Sequence, residues 1–292
     1  MLELLDYVLD LNDNFWIVGY IDNEFKGYIV YRADDNGDRF NHITKKYYKK
    51  CACHKFEKIP AYKKVFKPNK FYLEKKDDLK GVWGKYIEAL NKIGIEDSDI
   101  GIFGSYLVGF DIIKDVDFVI YGEENLHKYY KNNEFIKEYT NSTYINENHI
   151  LRQYNKHKND YHDKTDLLEI IKRNWSGIQV SEKVLSTPRF IDRKKQHILP
   201  DNNKREIITF EVIDGFKTAM LPRQAKVKYK DQEYNLETCL WKYQSFLKKG
   251  DVVEVYASIN HDLKTIILVD HDCYVKFIKK WRYNFLFFAP WK

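Results

Sequence analysis

The sequence predicts an α+β protein in three consecutive parts: a small α+β segment over residues 1–98, a mixed sheet with helices over 99–200, and an antiparallel β-barrel over 201–292. Apolar residues recur at helical spacing in several stretches of the first two segments, and in the last segment they alternate with polar ones. Turn signals rich in Gly, Asn and Asp separate the alternating runs, as is typical of small barrels.

Composition is that of a soluble globular protein. The 292 residues are 44% hydrophobic and 32% charged, and no apolar run approaches the ~18 residues of a membrane helix. Residues 1–6 include acidic residues and lack the positively charged start of a secretory signal peptide. Four cysteines in a chain of this length do not form a disulfide framework. We therefore expect a cytoplasmic protein without a membrane partner.

The first segment contains predicted strands and a predicted helix. Residues 15–20 and 28–33 are apolar and aromatic runs, and Asn36-Gly37 is a strong turn signal after the second run. Residues 79–93 repeat apolar side chains at helical spacing, which predicts a helix.

Positive charge is concentrated in one stretch of this segment. The net charge is +6, and residues 41–80 hold 13 lysines against 4 acidic residues, with aromatic side chains interleaved. A basic, aromatic surface attracts phosphates and can stack bases. A solvated, lysine-rich face is the alternative that the sequence leaves open.

Further along, the pattern changes from helical to alternating. Residues 125–139 and 145–175 are predicted to be mostly helical, and residues 184–190 to form an edge or irregular strand. The alternating runs that predict the barrel strands are residues 207–213, 226–229, 252–257, 265–269 and 274–278.

One stretch, GIFGSYLVGFDIIKDVDFVIYG from Gly101 to Gly122, combines residues that can do chemistry. It predicts a strand, a turn and a second strand that carries Asp115 and Asp117. Residues i and i+2 of a strand share a face, so we expect the two carboxylates side by side. Adjacent carboxylates repel unless a cation lies between them, and oxygen ligands of this kind select Mg²⁺ or Mn²⁺.

The Gly104-Ser105 step in the turn complements the carboxylates. Glycine lets the backbone approach a phosphate closely, and serine is a natural N-cap for a helical turn with free N–H groups. An anion cradle followed by a carboxylate pair suits phosphoryl or nucleotidyl transfer.

This pattern resembles the nucleotidyltransferase superfamily of DNA polymerase β, which includes poly(A) polymerases, CCA-adding enzymes and minimal nucleotidyltransferases. Gly104 and Ser105 match its Gly-Ser step, and Asp115 and Asp117 match its metal-binding pair. The close match covers this one stretch. More loosely, the basic stretch and the β-rich end resemble the archaeal-type predicted nucleotidyltransferases.

Two positions depart from the pattern of the superfamily. Lys114 stands where a serine usually precedes the first aspartate, and Tyr106 stands where a basic residue often follows the Gly-Ser step. Both departures weaken the expected binding of a triphosphate, and neither removes the carboxylate pair.

The resemblance implies an enzyme that uses Mg²⁺ or Mn²⁺ to transfer a nucleoside monophosphate from a nucleoside triphosphate, such as ATP, to an acceptor. Asp115 and Asp117 would bind the metal, and Gly104 with Ser105 the nucleotide. The superfamily normally has a third carboxylate on a later strand, for which Asp192 and Glu211 are both candidates.

The sequence also bears on the class of acceptor and on whether the chain is an active enzyme. The basic stretch and the barrel favour RNA or DNA as acceptor. The departures leave an alternative function open, namely a catalytically inactive module of the same fold that binds nucleic acid.

Overall fold

The computed structural model describes most of the chain. The described residues are 2–21, 25–51, 57–110, 116–144, 147–174, 178–180, 183–184, 188–194, 204–238, 240, 243, 245–268 and 272–280. Asp115, one of the two predicted metal ligands, lies outside the described residues.

The strands are β1 (Tyr7–Asp10), β2 (Phe15–Ile21), β3 (Phe25–Ala33), β4 (Arg39–Asn41), β5 (Lys46–Lys50), β6 (Glu57–Lys58), β7 (Tyr62–Phe66), β8 (Ile100–Phe103), β9 (Asp117–Tyr121), β10 (Thr143–Tyr144), β11 (Ile178–Val180), β12 (Lys183–Val184), β13 (Arg189–Ile191), β14 (Arg205–Asp214), β15 (Met220–Leu221), β16 (Arg223–Tyr229), β17 (Gln232–Thr238), β18 (Val252–Asn260), β19 (Thr265–Ile267) and β20 (Tyr274–Lys279). The α-helices are α1 (Pro68–Lys75), α2 (Val82–Lys92), α3 (Glu123–Lys131), α4 (Asn133–Tyr139), α5 (Glu147–His157) and α6 (Leu167–Asn174). Short 3₁₀ helices cover Lys76–Asp78, Asp97–Asp99, Lys158–Asp160 and Phe216–Ala219.

These elements form two compact units, the first of residues 1–143 and 178–197 and the second of residues 144–177 and 198–292. The segments predicted from the sequence are therefore grouped differently, because the helices of 144–177 belong with the barrel. The Asp166 carboxylate, just before α6, accepts the amide of Phe277 in β20 at 2.7 Å, which ties the helix to that strand. Within the described ranges, no helix has the length and apolar character needed to cross a membrane.

The first unit contains a curled antiparallel sheet with the strand order β4-β5-β3-β2-β1-β7, and β6 pairs with β3. Its register shifts at Leu9–Asp10, Phe15–Trp16 and Val18–Tyr20, and such irregularities bend strands and increase their twist. The predicted strands at 15–20 and 28–33 are confirmed as β2 and β3.

The strands β13, β9 and β8 lie side by side in that order and hold the stretch from Gly101 to Gly122. Strands β8 and β9 are antiparallel, with Phe103 opposite Asp117, whereas β13 runs parallel to β9, with Arg189 opposite Val119. The predicted first strand and turn, and the second strand from Asp117 onward, are thus present in the described residues, whereas the predicted place of Asp115 on the second strand lies outside them.

The helices α2 and α3 pack on one face of these strands. Phe118 of β9 contacts Tyr86 of α2, with ring centroids 5.1 Å apart, and Phe190 of β13 contacts Tyr129 of α3 at 5.3 Å. Because strand side chains alternate, Asp117 and Val119 lie on the opposite face from Phe118.

The second unit contains a closed five-stranded barrel with the order β14-β16-β17-β19-β18, in which β18 pairs back with β14. The predicted barrel and the mixed α+β class are therefore confirmed. The barrel is not wholly antiparallel, because β17 and β19 run parallel. Strand β20 pairs with β18 beside this circuit.

Candidate functional site

The turn after β8 brings Gly104 against the carboxylate of Asp117. Gly104 has a φ of +81°, in the left-handed region that glycine adopts without strain. A Cβ atom at this position would lie 2.6 Å from Oδ2 of Asp117. The missing side chain therefore leaves the space that the half-buried carboxylate occupies.

Ser105 opens a compact turn. Its carbonyl oxygen accepts the amide of Phe110 at 3.1 Å, and the carbonyl oxygen of Tyr106 accepts the amide of Gly109 at 3.2 Å. A turn is therefore present at Ser105, as predicted, and these bonds close residues 104–110 into turns without a regular helix. Asp115 follows outside the described residues.

A buried asparagine of the curled sheet fixes this turn. The side-chain amide of Asn41 donates to the carbonyl oxygen of Val108 at 2.6 Å, and the amide of His42 donates to the carbonyl oxygen of Gly109 at 2.9 Å. The Asn41 side chain is fully buried, and its oxygen accepts the amide of Thr44 at 2.9 Å. Turn residues 104–110 are therefore held to strand β4.

Phe110 provides the apolar counterpart of this anchor. Its ring centroid lies 4.4 Å from that of Tyr31, 5.4 Å from Tyr48 and 5.9 Å from Phe15. Neither Asn41 nor Phe110 was among the site residues predicted from the sequence. A phenylalanine directly after Gly109 is a sequence signal that could have indicated an apolar anchor for the turn.

Arg189 lies on the same strand face as Asp117, because it stands opposite Val119, two residues along β9. Its guanidinium carbon is 4.1 Å from the ring centroid of Phe103, the residue paired with Asp117. The side chain is half-buried, and it forms no ion pair with any residue in the described ranges.

Two tyrosines of the curled sheet lie within electrostatic range of these groups. Burial raises the pKa of Tyr7 well above its usual value; Tyr31 and Tyr28 raise it further, Arg189 lowers it and Asp117 raises it. Burial also raises the pKa of Tyr28, against the effect of Arg189. Both hydroxyls therefore stay protonated at neutral pH and can donate to carboxylate or phosphate oxygens.

Asp192, a predicted third carboxylate, lies at the other end of β9 from Asp117. Because Ile191 stands opposite Tyr121 in the parallel pair, Asp192 is level with Gly122. Gly122 lies five residues after Asp117 along the strand, so Asp192 is about 16 Å from the level of Asp117. The structure therefore does not bring Asp192 beside Asp117, since the parallel direction of β13 carries residue 192 away from that end.

At that far end of β9, Asp192 already accepts a hydrogen bond from the backbone. Its Oδ1 accepts the amide of Lys194 at 2.8 Å. The neighbouring Arg193 forms an ion pair with Asp99 at 2.9 Å.

Glu211, the other predicted third carboxylate, belongs to β14 in the second unit, whereas Asp117 belongs to the first. Its side chain is exposed between the buried Phe210 and Val212, and it stands opposite Lys228 on β16. This alternation makes Glu211 part of the outer surface of the barrel.

Asp117 is a carboxylate of the kind that Mg²⁺ uses, because this ion is commonly bound by one or two carboxylates plus substrate phosphates. Among the residues that the structure describes, no group of three or more His, Cys, Asp and Glu side chains could hold a metal ion. Asp115, the predicted second ligand, is not one of these residues.

Comparison of the chain with protein-family models, with curated proteins and with solved structures finds no match. The functional inference therefore rests on the contacts of Asp117, Gly104 and Arg189.

Proposed function

We propose that the first unit is a metal-dependent nucleotidyltransferase, which transfers a nucleoside monophosphate from a nucleoside triphosphate to an acceptor. One observation carries the proposal. The Asp117 carboxylate lies against Gly104 on the same strand face as Arg189, a half-buried cation without an acidic partner in the described part of the chain.

A half-buried charge without a counter-charge is unfavourable. A polyanionic ligand removes this cost, and the planar guanidinium of arginine matches phosphate oxygens in a bidentate geometry. Arg189 would therefore bind the triphosphate, a role that Tyr106, which follows the Gly-Ser step, cannot fill.

The remaining residues have complementary roles. Asp117 and Asp115 would hold Mg²⁺, which when bound neutralises phosphate charge and activates the attacking oxygen. Gly104 makes room for the Asp117 carboxylate, while Asn41 and Phe110 keep the turn in position. RNA or DNA is the proposed class of acceptor.

The test uses purified protein with α-labelled nucleoside triphosphates, Mg²⁺ or Mn²⁺, and RNA or DNA acceptors. Asp117→Asn should abolish labelling, because the amide cannot replace a charged ligand. Asp192→Asn is the matched control and should label like the parent, because Asp192 lies about 16 Å along the strand. Labelling by Asp117→Asn at the parental rate would exclude this site.

The alternative is a catalytically inactive module that binds nucleic acid. It is favoured by the single carboxylate beside Gly104 among the described residues and by Tyr106 in place of a basic residue. Calorimetric titration of nucleotide with and without Mn²⁺ separates the two functions. Metal-dependent nucleotide binding supports the enzyme, whereas salt-sensitive RNA binding without nucleotide binding supports the module.

A further inference from the structure

A row of three aromatic rings lies on the surface of the curled sheet at β4 and β5. Phe40 stands directly opposite Tyr47, with ring centroids 5.3 Å apart, and His42 lies 5.4 Å from Phe40 on its other side. Tyr47 is 49% exposed, His42 is exposed and Phe40 is half-buried. We call Phe40, His42 and Tyr47 the aromatic row.

Two positive charges flank one end of the aromatic row. Lys49 shares the strand face of Tyr47, two residues along β5, and stands opposite Arg32 of β3. Both side chains are exposed, and neither is ion-paired with a residue that the structure describes. Like charges directly opposite one another destabilise a sheet, and an anion would relieve their repulsion.

Other lysines of the same sheet are neutralised within the protein. Lys46 lies 2.7 Å from Asp13, and Lys63 pairs with the same carboxylate. Asp34, whose amide donates to the carbonyl oxygen of Tyr47 at 3.0 Å, accepts the Asn36 amide at 2.9 Å with its side chain. The charge beside the row is therefore distinct from the general abundance of lysine.

The aromatic row adjoins the candidate site. Asn41, between Phe40 and His42 in the chain, donates to Val108, and the amide of His42 donates to Gly109. The Asn41 side chain lies on the opposite strand face from Phe40 and His42, so the row adjoins the turn through the edge of β4, where the His42 amide bonds Gly109.

We propose that the aromatic row, with Arg32 and Lys49, binds single-stranded nucleic acid. Bases stack on the rings and phosphates lie against the two cations, as in proteins that combine a basic groove with aromatic side chains. A duplex hides the faces of its bases, so it cannot stack in this way. The further assignment of the bound strand as the acceptor rests on the proposed function.

Binding is measured by fluorescence anisotropy without nucleotide or metal, using single-stranded RNA and DNA of about 12 nucleotides, within the usual site sizes. Tyr47→Ala should weaken binding about tenfold through lost stacking, and Tyr47→Phe should retain most of it. Tyr62→Ala, at a 43% exposed tyrosine of β7 in the same sheet, is the matched control and should bind like the parent.

The charges are tested by the double variant Arg32→Gln, Lys49→Gln. It should flatten the slope of log affinity against log salt by about 1.4, because each phosphate contact on a single strand contributes roughly 0.7. The double variant Lys46→Gln, Lys63→Gln removes two charges already paired with Asp13, and it should change the slope less. Urea unfolding of each variant identifies losses of binding that follow from loss of fold.

The proposal is overturned if folded Tyr47→Ala and the Arg32, Lys49 double variant bind like their controls, or if duplex binds as tightly as single strand. Asp117→Asn should bind single strands like the parent. Parental binding in Asp117→Asn with no labelling by the parent itself would retain the binding surface and reject the proposed enzyme. Labelling that is unaffected by the Tyr47 and Arg32, Lys49 changes would reject the surface and retain the enzyme.

Discussion

Arg173 in the second unit and Arg189 in the first both place a guanidinium over an aromatic ring, but their charges are satisfied differently. Arg173, whose side chain is 9% exposed, donates to the carboxylates of Asp251 and Glu169. Arg189 lies over Phe103 without an acidic partner in the described ranges. One cation is satisfied within its unit, whereas the other retains its capacity for an external anion.

This difference separates a charge that is satisfied within the structure from one that is proposed to bind a ligand. Removing a partner of Arg173 leaves a buried charge uncompensated, so the effect should appear in the free energy of unfolding. Removing Arg189 takes away a charge that has no acidic partner among the described residues, so the effect should appear in ligand affinity. Variants at the two sites therefore test whether Arg173 and Arg189 differ in this way.

The largest effect is expected from Asp251→Asn. Asp251 is fully buried and accepts Arg173 and the amide of Lys248, so the change should lower the free energy of unfolding by about 3–5 kcal/mol. Urea unfolding measures this. Glu233→Gln, in an exposed ion pair with Lys226, is the control and should cost less than about 1 kcal/mol. Equal losses in the two variants would show that the buried pair is not structural.

Asp6 in the first unit is an intermediate case between a fully buried ion pair and an unpaired charge, because Asp6 is buried but its partner is only partly buried. Its side chain is 2% exposed and lies 3.2 Å from Lys67, which is 37% exposed. Burial raises the pKa of Asp6 from 3.8 to about 6, although Lys67 and the Glu3 amide lower it. A carboxyl with a raised pKa in the folded state stabilises below its unfolded pKa, and this contribution is lost as pH rises through 6.

Asp6→Asn should therefore become more stable relative to the parent between pH 4 and pH 7, by about 2 kcal/mol. Urea unfolding at several pH values measures the difference. Glu124→Gln, at a side chain that is 82% exposed, should show a nearly constant difference from the parent and serves as control. A constant difference for Asp6→Asn as well would mean that Lys67 compensates the burial of Asp6 fully.

Arg189→Gln tests the other side of the comparison. The free energy of unfolding should change by less than about 1 kcal/mol, whereas nucleotide affinity in the presence of Mn²⁺ should fall about tenfold or more, through loss of a charged hydrogen bond. Arg193→Gln is the control, because Arg193 pairs with Asp99 at the far end of β9. Unchanged nucleotide affinity in Arg189→Gln, measured by calorimetry, would remove this residue from the proposed site.

Local patterns predicted the elements of both units more fully than their arrangement. The alternating runs in the last segment gave most barrel strands, because one face of each is buried. Strand β17 was missed, since only Tyr234 and Leu236 mark its inward face before Glu237 and Thr238, which are buried polar residues. The parallel pair of β17 and β19 has no local signature, since it depends on where distant strands meet.

The site was predictable where it lies within one short stretch. Gly104 and Asp117 meet because a turn joins adjacent antiparallel strands. Asp192 was predicted to approach Asp117, but the direction of β13 depends on packing far along the chain. The contact of Asn41 with Val108 likewise joins residues 67 positions apart, which spacing cannot reveal.

Gly104→Ala should lower stability by less than Asp251→Asn does, and it tests the contact on which the site depends. A left-handed alanine costs roughly 1–2 kcal/mol, and its Cβ would also displace the Asp117 carboxylate, 2.6 Å away. Gly122→Ala is the matched control, since its φ is +95° and its Cβ would meet only the Asn125 side chain at 3.7 Å. Both variants should lose similar stability to urea, but only Gly104→Ala should also lose labelling activity and Mn²⁺-dependent nucleotide binding. Parental nucleotide binding in folded Gly104→Ala would mean that the space beside Asp117 serves the turn alone, and equal loss in Gly122→Ala would attribute the effect to backbone strain.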